Sequence, residues 1–312
     1  MPRQRANLKK IKTIALDGRK CKVAIKDFAK VARKGESFKE FYDSLPLILA
    51  ANNLKSLVDE IVSAYRKKRM VVIMMGAHVI KCGLSPLIID LMKRKVVRAV
   101  ALNGAGIIHD TEIAMIGRTS EDVGEGIVDG SFGMAAETAD FINGAIEAGF
   151  RRGTGIGESL GGAITKAKLP HRNLSILANG NALGVPVTVH VAIGTDIIHQ
   201  HPSMNGQATG EGSLLDFKNF IYNVSNLEGG VVMNLGSAVV LPEVFLKALT
   251  VSRNLHSKPK VFTAANFDMI NQYRPHQNVL SRPTSMGGHS YNIIGHHEIS
   301  IPLLYRSIIE NI

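Results

Sequence analysis

The chain has 312 residues, 45% of them hydrophobic and 20% charged, enough for one large α/β domain or two small ones with a self-sufficient core. No apolar run approaches membrane-spanning length. The two cysteines, Cys21 and Cys82, exclude a disulfide framework and match no metal motif, so a reducing, cytoplasmic setting with no membrane partner is expected.

The net charge of +11 is concentrated rather than spread. Residues 1–34 hold 12 of the 37 Lys and Arg, against only Asp17 and Asp27, and the remainder is almost balanced. Arg3, Arg5, Lys9, Lys10 and Lys12 open this arm, but no secretory apolar core follows. Its only aromatic is Phe28, so it lacks the stacking residues of a single-strand binder, and nucleic acid is not an expected partner.

After the arm, Ser37 caps a helix running through Phe41, Leu45 and Leu49 to Tyr65, with a break at Pro46. Val71–Met75 is a strand, Ser85-Pro86 starts a helix with the serine as cap, and Lys93-Arg94-Lys95 closes it with the favourable charge. Ala99–Leu102 is a strand, with a helix from near Ile108 and a small-residue helix between Ser131 and Ala148. A strand over Val185–Val189 precedes a helix from about Leu214 to Val224. Gly230–Leu235 and Lys260–Ala264 are strands flanking a helix that Pro242 opens towards Leu255, and a last helix starts near Ile301. Short β-branched strands separated by helix-length segments predict a parallel sheet covered on both faces.

Ligands of such sheets bind beyond the carboxyl ends of the strands. The segments expected there are Gly76-Ala77-His78, Asn103-Gly104-Ala105-Gly106 with His109-Asp110-Thr111-Glu112, Gly194-Thr195-Asp196, Gly236-Ser237-Ala238, and Thr263-Ala264 with Phe267-Asp268. Small residues let backbone amides approach phosphates and carboxylates accept ribose hydroxyls, so the set reads as a nucleotide site, although no loop is a full G-x-G-x-x-G fingerprint.

From about residue 70 onward these segments, with Arg282-Pro283 and Ile301-Pro302-Leu303-Leu304, occur in the order of the deoxyhypusine synthase family, which the chain resembles. Asn103 to Glu112 is also similar to the NAD-binding domain of archaeal and cyanobacterial ornithine cyclodeaminases. The resemblance implies a Rossmann-like doubly wound parallel sheet over residues 37–312, with residues 1–36 as a basic N-terminal extension. It also implies a homotetramer with sites at subunit interfaces, and NAD that takes a hydride from a carbon bearing an amine.

Carried over residue by residue, it implies cofactor contacts at His78, Asn103, Gly104, Ala105, Asp110, Glu112, Thr195, Asp196, Gly236, Ser237, Ala238, Thr263, Ala264 and Asp268. Asp268 and Asp110 are assigned to ribose hydroxyls. The chain departs from the family at its chemistry. No lysine follows Lys260 and there is no tryptophan, so the aminobutyl-accepting lysine and its neighbour are missing. Ser285 to His289 and Tyr291 occupy that stretch, Glu243 stands where the family has a substrate-handling histidine, and His296-His297 replace an Asp-Ala pair.

The expected catalytic residues are therefore His289 as base, His296 and Glu243. A metal reading of His199-x-His201 with His296-His297 is set aside because the spacing is not helical and no H-E-x-x-H exists, so no metal is expected. Lys81 remains open as a phosphate partner or alternative nucleophile. The resulting expectation is an NAD-dependent enzyme acting on a small amine or amino acid. Three rivals stand beside it: hypusine synthesis with a relocated nucleophile, a metal-dependent hydrolase, and a non-catalytic protein that binds through its arm.

Overall fold

The computed structural model describes residues 5–312; Arg3 lies outside the described residues. The chain divides into two compact units, one ending at Asn52 and one running from Asn53 to Ile312.

In the first unit the arm forms three single turns, Leu8–Lys10, Leu16–Gly18 and Ile25–Asp27, with no buried residue among them. Its helix α1, Phe38–Ser44, starts as the sequence predicts. Ser37 Oγ accepts from the Glu40 amide, and Glu40 Oε2 accepts from the Ser37 amide, closing a capping box. The chain leaves helical geometry at Leu45, before Pro46, and re-enters it in α2, Leu49–Arg66, which crosses into the second unit.

The second unit is built on six strands: β1 Val71–Met75, β2 Ala99–Asn103, β3 Val187–His190, β4 Val231–Leu235, β5 Thr263–Asp268 and β6 His289–Ile294. All pair in parallel, in the order β3-β2-β1-β4-β5-β6. This is a Rossmann-like α/β fold. Strands β1 and β4 are buried along their whole length, as a sheet covered on both faces requires. One face packs Val72, Met74 and Val232 under Phe220, Phe245 and Phe262, the last two meeting edge to face at 6.1 Å. Removing either ring would cost about 3–5 kcal/mol.

Besides shorter turns such as His78–Lys81, the helices of this unit after α2 are α3 Ser85–Lys93, α4 Gly104–Ile116, α5 Val123–Asp129, α6 Ala136–Arg152, α7 Ile156–Lys166, α8 Ile176–Leu183, α9 Gly206–Ser225, α10 Val240–His256 and α11 His297–Asn311. Ser85 is the first residue of α3, not its cap; Leu84 occupies that place. Helix α4 begins directly at the end of β2, four residues before the expected start, because Asn103 Oδ1 accepts from the Gly106 amide.

β5 lies three residues beyond its predicted position, and β6 is not predicted at all. Both misreadings come from polar residues satisfied sideways. Asn234, Asn266 and Asn292 are register partners, and their amides chain across β4, β5 and β6 at 2.8 and 3.0 Å. Among the described residues no helix is long and apolar enough to cross a membrane.

Candidate functional site

Strand order reverses between β1 and β4, so the segments leaving these two strands part and open a crevice at the carboxyl rim. Leu235 and Met75 end their strands in register, and Gly236 and Gly76 follow them. A Cβ on Gly236 would meet the His297 ring at 2.6 Å, and one on Gly104 would collide with the Asp196 carboxylate. These glycines thus let the chain's own side chains lie over the strand ends.

On the β2–β3 side of the crevice lies a cavity of about 210 Å³, lined by Lys81, Ala105, His109, Glu112, Glu121 and Asp196, among others. Asp196 comes from the loop after β3 and is pressed against the first residue of α4. Its Oδ2 is buried without a hydrogen-bond partner, and burial pushes the carboxyl up to about 6. His199 accepts from the Gly194 and Asp196 amides through Nδ1, so in its neutral form the proton sits on Nε2. That Nε2 is also buried and unpartnered, 3.9 Å from Asp196 Oδ2 and too far for a hydrogen bond.

A relay forms the opposite wall. Thr119 donates its hydroxyl proton to Glu112 Oε2, and Thr138 donates to Glu112 Oε1 at 3.1 Å. With that proton committed, His109 Nδ1, 2.6 Å from Thr119 Oγ1, must be the donor, which leaves Nε2 as a free lone pair. Burial, helped by Lys81, lowers the imidazole to about 4, so His109 is neutral near pH 7. Beyond Glu112, Ser120 and Glu121, which both share, a second cavity of about 640 Å³ extends over Met115, Ile116 and Leu169.

Several residues predicted for a cofactor lie at the rim: His78, Asn103, Gly104, Ala105, Thr195, Asp196, Gly236, Ser237, Ala238 and Asp268. Asp268 ends β5 and its Oδ1 accepts from the Met269 amide at 2.7 Å. Ser237 Oγ accepts from the Leu241 amide and anchors the start of α10. Glu112 lies on the cavity wall.

Others stand elsewhere, which corrects their predicted roles. Asp110 lies on the buried face of α4 and accepts from Ser175 Oγ and the Ile176 and Leu177 amides, so it anchors the first turn of α8 and reaches no ribose. Thr263 and Ala264 begin β5, opposite Val231 and Val232, at the amino end of the sheet. His289 pairs with Thr263 at that same end and lies 2.7 Å from Glu60 of α2. It therefore cannot join His296, which follows the other end of β6 and caps α11. Glu243 is tied to Lys247, Arg274 and Asn278; the Lys247 hydrogen bond holds it below the usual carboxylate range.

From sequence, His109 belongs to a segment read as cofactor contact and His199 to a metal reading that is set aside; the structure puts His109 on the cavity wall and buries His199 Nε2 near Asp196. His109 and Glu112 are three residues apart in the middle of α4, the spacing that joins side chains on one face. The partner that decides their chemistry, Thr119, comes from beyond the end of α4 and gives no local signal.

No family model matches the chain, and no curated protein is similar in sequence. Solved structures do share its fold. A conserved protein of the LOR/SDH type from Methanococcus maripaludis S2 superposes with a TM-score of 0.54 at 15% identity, over 99% of this chain and 76% of that one. AgrE in its ternary complex with ornithine and NAD+ gives 0.56 at 16% identity, over 84% of this chain and 34% of AgrE, so this chain spans about a third of that protein. A protein assigned as a deoxyhypusine synthase from Entamoeba histolytica gives 0.52 at 11% identity, over 89% and 94%. These likenesses, all at 16% identity or below, establish a shared Rossmann-like architecture.

Proposed function

We propose that this chain is an NAD-dependent enzyme acting on a small amine or amino acid at the carbon that bears the nitrogen. One observation carries the reading: Asp196 lines the cavity, and its Oδ2 is buried without a hydrogen-bond partner. A buried carboxylate without donors is costly, and an ammonium group is the ligand that would supply them.

The donor set around the crevice fits NAD. Ala77-His78, Ala105 and Ala238 offer backbone at the strand ends, Thr195 is exposed beside them, and Asp268 ends β5 with its carboxylate at the rim. When bound, the nicotinamide would supply a hydride acceptor. Asp196 orients the substrate ammonium, and Lys81 faces a substrate carboxylate where one is present. His109 Nε2 accepts a hydrogen bond from the amine, with Glu112 and Thr119 fixing the ring's tautomer; held at about 4, it keeps no proton near pH 7, and the proton that the ammonium sheds passes to bulk water. The apolar wall of Met115, Ile116 and Leu169 accommodates a carbon chain and limits water.

The experiment is direct. Purified protein is denatured and the supernatant assayed for NAD; the folded protein is then mixed with NAD and a series of diamines, polyamines and basic amino acids while reduced nicotinamide is followed by absorbance. Co-purified NAD, or a thermal shift with NAD plus amine-dependent reduction, is the expected result. No NAD, no shift and no reduction with any amine would remove the reading.

Hypusine synthesis with a relocated nucleophile is a second reading, favoured by one observation: Lys81 lines the same cavity as Asp196. Incubation with spermidine, NAD and the translation factor would then label the factor, and Lys81→Arg would abolish labelling, because guanidinium is a poor imine former.

A further inference from the structure

His78 and Cys82 stand four residues apart on the helical turn that follows β1, the spacing that brings two side chains to one face. Glu298, in the first turn of α11, meets them there. A ring nitrogen of His78, the Cys82 sulfur and a Glu298 oxygen all lie within 4.8 Å of one another. Cys82 Sγ is 3.8 Å from Glu298 Oε2, a contact between segments 216 residues apart in sequence. A glutamate in a first helical turn is explained by the helix dipole alone. A thiol and an imidazole gathered against it are not.

His297 supplies a separate observation. It is buried, with 2% of its surface exposed, and its ring lies 5.6 Å from that of His78. Nε2 is 3.1 Å from the Phe267 carbonyl, which only accepts, so this nitrogen carries a proton; Nδ1 is buried without a partner. A histidine with one ring nitrogen fixed by a backbone carbonyl is how proteins orient imidazoles towards metals or metal-bound water.

We propose that His78, Cys82 and Glu298 form a binding site for a divalent transition ion of the zinc class, with His297 flanking it and one coordination position open. The donor chemistry selects the ion. Thiolate and imidazole favour zinc, cobalt or iron over magnesium and calcium, which prefer oxygen alone. A tetrahedral ion with bonds of about 2.0–2.3 Å sets its donors roughly 3.3–3.8 Å apart, so the triad closes on a metal with side-chain movements of about 1 Å. The three ligands come from both sides of the β1–β4 crevice, so the ion would tie the turn after β1 to the start of α11. The inference goes beyond the amine reading and needs neither NAD nor Asp196.

Untagged full-length protein, stripped with chelator, is titrated with Co²⁺. The expected result is a thiolate-to-cobalt charge-transfer band that saturates at one equivalent and is displaced by Zn²⁺. Cys82→Ser should abolish the band, while Cys21→Ser, at the other thiol, should leave it intact. His78→Ala and Glu298→Gln should weaken Co²⁺ binding at least about tenfold. Absence of a thiolate band in the wild-type protein, or its survival in Cys82→Ser, overturns the site whatever the outcome of the NAD assay.

Discussion

Asp110 and Asp196 have almost the same affinity for a proton and opposite surroundings. Burial raises both to about 6. From α4, Asp110 accepts from Ser175, Ile176 and Leu177 and ties that helix to the start of α8. Asp216 of α9 does the same elsewhere, receiving the Gly157 and Val189 amides at 2.9 Å while burial lifts it to about 7. Asp196, at the rim, accepts nothing through Oδ2. A shifted proton affinity therefore does not mark function by itself; what marks it is burial without donors.

The comparison breaks most visibly on stability. Asp110→Ala leaves two helix-end amides and a hydroxyl unpaired, and should destabilise the fold by about 2–4 kcal/mol in denaturant unfolding. Asp196→Ala should cost less than about 0.5 kcal/mol, or stabilise, because it removes a desolvated charge. Equal losses would show that the two aspartates do the same job.

Next in size is ligand affinity. Asp196→Asn removes a charged hydrogen bond to an ammonium and should weaken amine binding by roughly 1.5–3 kcal/mol, about 10- to 100-fold, in calorimetric titration. Asp110→Asn should change it far less.

The pH dependence sharpens the contrast. Each of the three carboxyls binds its proton more tightly folded than unfolded, so its share of stability is greatest in acid. That share falls as pH rises from about 4 to the folded values of about 6 for Asp110 and Asp196 and about 7 for Asp216. Asp196→Asn should flatten part of that slope. Amine binding should instead strengthen as pH rises through about 6, where Asp196 ionises. Amine affinity independent of pH between 5 and 7 would count against Asp196 as the ammonium partner.

The smallest effect belongs to His289. It is exposed at the amino end of β6, and its contact with Glu60 is a surface ion pair when protonated. His289→Ala should shift stability by no more than about 0.5 kcal/mol and leave NAD and amine binding unchanged. A large loss of amine oxidation in that variant would restore the role the sequence had suggested.

The sheet was legible because β1 is an unbroken aliphatic run and β2, β3 and β4 are largely so, and Val71–Met75 is found where its residues predict it. The edge was not. β6 begins His289-Ser290 and relies on Asn292 bonding to Asn266, so its signal lies in a neighbouring strand. The rim loops could be named from sequence, since glycine and acidic residues after strands are local features. The tautomers of the rim histidines could not, because His109 takes its own from Thr119 and Glu112, and His297 from the carbonyl of Phe267.

Local chemistry along the chain thus determined the alternation of strands and helices and the basic arm, through periodicity, capping residues and charge. Tertiary structure alone decided which carboxylates are occupied and which stand open. That depends on whether amides from segments tens of residues away arrive at a buried oxygen. Asp110 meets donors 65 to 67 residues onward, while Asp196 Oδ2, set against Gly104, meets none.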